Sequence, residues 1–498
     1  MHSAPSSTPP FGSSALRGTR PFIAAAWFVA TTLMLAPARS SEAADGSMAG
    51  PEPSASVISI TSFGAKPDGQ TDCTAAIQAA IDAAAPRGGV VQVPVGRWRC
   101  QGHLVLRKGV HLSGMSLAPR SWEPATGSIL LPTEGRNDEQ APAFIEMRSS
   151  TALAGLTIYY PEQTVDDIRP YPFTIQIRAD PADARDVSFD ATVENVTLIN
   201  SYNGIRTGPT ENGRHRLVRI NGCVLRRGIL VEGTGDIGRI ENVQFHSHFW
   251  AHPAFAGNWN KVFAWMQANL EAFSFGRTDW EYVHNTFVFP ARVGYRFFES
   301  RGAGDWSGAC NGQFSGIGAD ACDTCVLVES IQPQGLLITN GEFNSHRVGR
   351  STQVVVEPSC AGSVRFVNCG FWGPVLHNAV LRGRGYVSFA DCYFSNDNHT
   401  DPGFAIVASA GRLQVQNCTF DARSPRREAG NAWADEDRRD QPGSVHLEGG
   451  LRHAIIRGNN GYYGVRIRND AGRRAILAEN EPWRPPPRSG KAATPKAH

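Results

Sequence analysis

One phrase recurs along this chain: a branched apolar or aromatic residue, any residue, Asn, a small or apolar residue, any residue, Phe. It reads Ile240-Glu241-Asn242-Val243-Gln244-Phe245, then Ile338-Thr339-Asn340-Gly341-Glu342-Phe343, Phe366-Val367-Asn368-Cys369-Gly370-Phe371 and Val415-Gln416-Asn417-Cys418-Thr419-Phe420. Weaker copies extend the Asn position to Asn195, Asn221, Asn285, Asn311, Asp391, Asn459 and Asn480. Successive positions lie 21 to 29 residues apart, except for two steps of 43 and 42 that hold one coil plus an insertion.

A period of this size with short β runs marks a solenoid, in which each repeat buries its apolar face only against its neighbours. The apolar residue before Asn faces in, the chain bends at Asn, and the apolar residues after it face in again. Asn suits the bend because it tolerates left-handed backbone and can bond to its copy in the next coil. The strand opening each coil reads Gly228-Ile229-Leu230-Val231-Glu232, Val326-Leu327-Val328-Glu329, Val354-Val355-Val356-Glu357 and Val445-His446-Leu447-Glu448, with the period-two alternation of a half-buried strand. Leucine-rich repeats do not fit, because the Leu spacing and the helical half of each repeat are missing. The expected fold is all-β, a right-handed parallel β-helix of about eleven or more coils with a short N-terminal capping helix and a helical insertion. It occupies residues 55–482, with a cap and opening module over 55–115 and an inserted loop and helix over 246–272.

The N-terminus reads as an export signal over residues 1–44: Arg17 and Arg20 precede an apolar run from Phe22 to Leu35, with candidate cleavage points at Ala36-Pro37-Ala38 and Ser41-Glu42-Ala43-Ala44. The run is too short to span a membrane comfortably, so the mature protein is expected outside the cytoplasm, secreted or periplasmic, with no membrane insertion. Residues 483–498, rich in Pro, Lys, Ala and Ser, read as a disordered tail. A net charge of +2 argues against a nucleic-acid partner. The ten cysteines of an exported chain permit disulfides, with Cys73 and Cys100 as one pair and another among Cys310, Cys322 and Cys325. Cys369, Cys392 and Cys418 share an inward position and read as a buried stack. No cysteine spacing makes a convincing zinc site, and no cofactor is expected.

The segment Phe63-Gly64-Ala65-Lys66-Pro67-Asp68-Gly69-Gln70-Thr71-Asp72, followed by Ala75-Ala76-Ile77-Gln78-Ala79-Ala80-Ile81, Gly88-Gly89-Val90-Val91-Gln92-Val93-Pro94 and Gly96-Arg97-Trp98, resembles the opening of the pectate-lyase-like superfamily, which includes polygalacturonase-related and phage tailspike proteins. The resemblance implies a short amphipathic helix capping the open end of the β-helix, with Asp72 as its N-cap. It leaves the reaction open, since the superfamily holds hydrolases, lyases, epimerases, fructotransferases and adhesins. The chain lacks Asn-Thr-Asp, Gly-His-Gly and Arg-Ile-Lys, so no polygalacturonase residue carries over, and Asp166-Asp167 stands without those neighbours.

Stacked coils place equivalent residues about 5 Å apart, so alignment on Asn turns into ladders in space. Six residues before Asn242, Asn285 and Asn311 stand Asp236, Asp279 and Asp305, with His215 in the preceding coil. Glu232, Glu329 and Glu357 end their first strands nearby. Glycoside hydrolysis uses two carboxyl groups about 5–5.5 Å apart when retaining and about 6.5–9.5 Å apart when inverting, and the ladders supply both spacings. The candidate catalytic residues are therefore Asp236, Asp279, Asp305, Glu329 and Glu357. The candidate substrate-binding residues are His215, Glu232, His246, His248, Trp250, Arg277, Trp280, His346 and Arg347, because aromatic faces stack on sugars and Arg clamps carboxylates. The expected partner is a polysaccharide or oligosaccharide, and the expected reaction is hydrolysis or a related glycosyl transfer, an intramolecular fructotransferase included. The alternatives are a lyase whose aspartates bind Ca²⁺ while Arg277 or Arg347 abstracts a proton, and a non-catalytic glycan-binding adhesin. Oligomeric state is not legible.

Overall fold

The computed structural model describes residues 57–484, apart from residues 121, 184, 302–305, 346–349, 396–402, 422–423, 428–432 and 437–442. The expected leader, nearly all of the tail, and Asp305, His346 and Arg347 lie outside the described residues. Each coil lays down three short strands, every one pairing in parallel with its equivalents in the coils before and after, so that a single 41-stranded sheet winds into a β-helix. A small antiparallel pair, Ser424–Arg427 with Trp433–Glu436, stands apart from it. The first strand of each coil builds one flat face, which runs from Leu104–Leu106 through Phe173–Ile177, Glu271–Phe275 and Thr324–Val328 to Ile467–Asn469.

The recurring phrase does what its pattern demands. Ile240, Val243 and Phe245 are buried, and the bend between them is left-handed, with φ of 56° at Asn242. Asn285 Nδ2 donates to Asn242 Oδ1 at 2.7 Å and Asn368 Nδ2 to Asn340 Oδ1 at 2.8 Å, so the bends are stitched coil to coil. Inside, Phe343, Phe371, Phe394 and Phe420 stack with centroids 5.1, 4.9 and 5.0 Å apart, the strand spacing written in aromatic rings.

Four bends differ from the expected positions. The left-handed residues are Arg219, Gly316, Gly458 and Glu479, where the repeat pattern points to Asn221, Asn311, Asn459 and Asn480. Glycine adopts positive φ without strain, so Gly316 needs no Asn at all. Asn311 instead sits near the start of the strand Cys310–Ser315 that leads into this bend, and is buried. That slip of register misplaces the third rung of the aspartate ladder.

Helix α1 (Thr74–Ala84) buries Ile77, Ala80, Ile81 and Ala84, one helical stripe, over the first coil. Its Gln78 amide donates to Val105 O at 3.1 Å and accepts from Val105 N at 2.9 Å, pairing an edge strand that would otherwise be open. Asp72 lies one residue before the cap position, which is Cys73. Its carboxylate still accepts from Thr74 N and from Gln101 N, both at 3.0 Å. The insertion contains two 3-10 turns and helix α2 (Trp259–Asn269), capped by the Asn258 side chain. It connects the last strand of one coil to the first strand of the next, whereas Asp236 and Asp279 lie after the first strand. The insertion therefore leaves the coil at a different turn from the one that carries those aspartates. All ten cysteines are buried and free, so neither expected disulfide forms and each thiol packs as a small apolar group.

Candidate functional site: a charged groove over the first face

Outward side chains on the first strands line up by register: Glu146, Gln176, Arg206, Leu230, Ser274 and Arg296 oppose one another in successive coils. Arg227 opposes Glu271 at the start of the same strands. Together with Glu139 and Pro142 from the preceding loop they enclose a groove of about 630 Å³. Its apolar floor is a separate small cluster, Ala143, Phe173 and Leu230 with Phe298 against it.

The charges are paired, mostly across coils. Arg206 donates to Glu232 at 3.1 and 2.9 Å. Arg227 reaches Glu139 at 2.7 Å, and Arg148 reaches Glu146 at 2.9 Å. Arg296 carries two carboxylates at once: Nη1 is 3.1 Å from Glu271, while Nε and Nη2 donate to Glu329 at 3.0 and 3.2 Å. Two carboxylates on one planar guanidinium keep their facing oxygens within roughly 9 Å, a bound that takes in both the retaining and the inverting spacings. Glu271 is nearly buried and also contacts Arg226 and Arg292, whereas the Glu329 side chain is 33% exposed. Arg206 packs over Phe173 and Arg296 over Phe298, with Cζ 5.9 and 4.9 Å from the ring centroids.

The other expected site residues distribute as follows. Asp236 pairs with Arg214 at 3.2 Å, a residue that also holds Asp190. Asp279 turns the other way: it pairs with Arg277 at 2.8 Å and accepts from Asn311 at 3.1 Å and Gln332 at 2.8 Å. Thr234 opposes Thr278, so the two aspartates do lie on adjacent coils, yet each is neutralised separately and Asn311 stands beside Asp279 where the ladder predicts Asp305. Arg277, Asp279 and Trp280 share an open pocket of about 470 Å³ with Asn311 and Gln332. Trp280 is 61% exposed there, as a sugar-stacking ring requires. Glu357 pairs with Arg382 two coils above the groove's Arg296 row. His215 is not at the surface. It is fully buried, 3.0 Å from Glu281, and a Cβ on Gly238 would lie 2.3 Å from its ring.

His246 and His248 do meet, with ring centroids 4.0 Å apart and Phe289 stacked at 4.8 Å from His246, but at the corner of the insertion. Burial, reinforced by His248, lowers the pKa of His246 to about 3, and burial lowers that of His248 to about 4. Both are neutral packing groups across the physiological range and do not exchange protons with substrate. Trp250 is fully buried and donates to Phe255 O at 2.8 Å, so it braces the insertion and shapes no subsite.

Sequence reasoning passed over Arg206, Arg227, Glu271 and Arg296. Glu271 was hidden because the insertion was expected to run to Ala272, which absorbs the start of a strand. Ile205-Arg206-Thr207 and Tyr295-Arg296-Phe297 carry the outward charge of a two-residue alternation, a signal available once the strands are in register. Among the described residues no helix is long and apolar enough to cross a membrane.

The fold is that of a parallel β-helix protein, and its opening module is where a known family matches. A family model described as rhamnogalacturonase A/epimerase, pectate lyase-like, matches residues 57–137, the opening module and first coil. No curated protein matches the sequence. Among solved structures, the DFA-IIIase of Arthrobacter chlorophenolicus A6 is similar over 87% of this chain and 99% of its own, at 12% identity and a TM-score of 0.48. The family 28 exopolygalacturonase of Yersinia enterocolitica is similar over 85% and 77%, at 13% identity and a TM-score of 0.41. The surface adhesin PfbA of Streptococcus pneumoniae is similar over 85% and 92%, at 13% and 0.40. The likeness is one of fold.

Proposed function

We propose that the protein is an exported carbohydrate-active enzyme that hydrolyses a polysaccharide laid in the groove over the first face. The observation that supports this reading is the Arg296 bridge, in which a guanidinium lining the groove binds both Glu271 and Glu329, so that two carboxyl groups stand close enough to act on one glycosidic bond. Glu329, the more exposed, is the general acid that protonates the glycosidic oxygen. Glu271 is the base that takes a proton from the attacking water. An acidic sugar fits best, because its carboxylate competes for Arg296 and so releases Glu329 for protonation. The apolar floor at Phe173, Leu230 and Phe298 accommodates the sugar faces.

The test is a digest of neutral, acidic and fructan polysaccharides by the wild type and Glu329→Gln, with and without EDTA, reading reducing ends and ultraviolet absorbance. New reducing ends that fall at least a hundredfold in the variant, with unchanged melting, support the assignment. An unsaturated product absorbing in the ultraviolet replaces hydrolysis with β-elimination. Binding without any product on an acidic glycan leaves a glycan-binding solenoid.

A further inference from the structure

A second surface, on the third strands, is made of groups that the groove does not use. Register places Glu342, Gly370 and Tyr393 in one outward column across three coils. Gly370 contributes no side chain, so the column has a notch between Glu342 and Tyr393, roughly 10 Å long from two coil spacings. Trp372 forms one wall and the bend residues Asn340, Asn368 and Asp391 form the other, around about 520 Å³. Trp372 and Tyr393 are 45% and 42% exposed, unlike the Phe343, Phe371 and Phe394 rings stacked inside the same coils.

The polar atoms of this notch are arranged, not merely present. Trp372 Nε1 donates to Glu342 at 3.1 Å and Tyr393 Oη donates to Asp421 at 3.3 Å, which fixes both rings. Glu342 leans into the space over Gly370, where a Cβ would lie 2.8 Å from its Oε2. The Asn368-to-Asn340 bond uses one donor and one acceptor, and leaves the Asn340 amide hydrogens and the Asn368 carbonyl, both on residues that line the notch, without another protein partner among the described residues. Ring faces beside fixed carboxylate acceptors and amide groups match a sugar ring, which is apolar on its faces and carries hydroxyls at its edge. The lining holds Glu342 and Asp391 and no basic side chain. A uronate would bring a third negative charge, so the occupant is an uncharged sugar.

We infer that Trp372, Tyr393, Glu342 and the Asn340–Asn368 amides form a binding site for a neutral sugar unit of a glycan, on a different face of the solenoid from the groove. It acts as a non-catalytic anchor. The experiment is calorimetry of the exported protein with cellohexaose, mannohexaose and xylohexaose, with trigalacturonate as the charged control. At least one neutral probe binds, and its affinity falls about tenfold or more in Trp372→Ala and in Gly370→Leu, while Glu329→Gln leaves it unchanged. Trp372 is exposed, so its variant keeps the wild-type melting curve even if the leucine at 370 perturbs folding. The inference is overturned if no neutral probe binds, if binding survives both substitutions, or if trigalacturonate binds more tightly through Trp372 than any neutral probe.

Discussion

Asp279, a catalytic candidate in the sequence, is held by Arg277, Asn311 and Gln332 and lies apart from the groove. Its Oδ1 accepts from two amides and faces Arg277, a set of partners that favours the ionised carboxylate over a proton donor. Asp279→Ala is expected to cost about 1 kcal/mol of stability, discounted for its partial exposure, and to leave turnover per folded molecule within a few-fold of wild type. Denaturant midpoints and kcat measured side by side check this. A hundredfold loss of kcat at Asp279 would return the site to that edge. His246 and His248 carry the pH dependence. Their folded pKa values are depressed, so below about 6.5 the unfolded chain binds protons that the folded one refuses until about 4 and then about 3. Stability therefore falls as pH drops from about 6.5 toward 4. The loss of unfolding free energy between pH 7 and pH 5, read from denaturant titrations, should shrink in His246→Phe by an amount on the order of 1 kcal/mol.

At the scale of elements, the coils are held by columns of identical groups, and a column fails where one member is removed. Phe371 stacks between Phe343 and Phe394 and is fully buried. Phe371→Ala should cost about 3–5 kcal/mol, and hydrogen exchange should speed up first in the two coils that flank it, because a solenoid's contacts are nearest-neighbour. Uniform acceleration along the chain would contradict that picture. The columns were readable from the recurring phrase, since its Phe and Asn positions are the stacked rings and the stitched bends. The mismatch at Asn311 was not, because Gly316 makes the bend without announcing it in the pattern. Because of that slip, the row where the repeat pattern predicts Asp305 is occupied by Asn311.

For the whole molecule, the groove and the notch respond differently to salt. Binding of an acidic oligosaccharide to the arginine-lined groove should weaken as ionic strength rises from about 0.05 to about 0.3 M, appearing as a higher KM with kcat little changed. Neutral-probe binding at Trp372 should stay level over the same range. Equal salt sensitivity at both would remove the charge distinction between the two faces.

The sequence by itself determined the solenoid, its winding period, the inward rings, the capping helix and the presence of carboxylates near the first strands. Those features follow from local rules: which residues tolerate a left-handed bend, and which side of an alternating strand is apolar. Only the tertiary structure decided which charges meet. Glu271 and Glu329 lie 58 positions apart in the chain, and they share Arg296 because two coils of winding bring them to one guanidinium. Pairing of that kind depends on register and on the length of each turn, and a turn can gain or lose residues without leaving a trace in the repeated phrase.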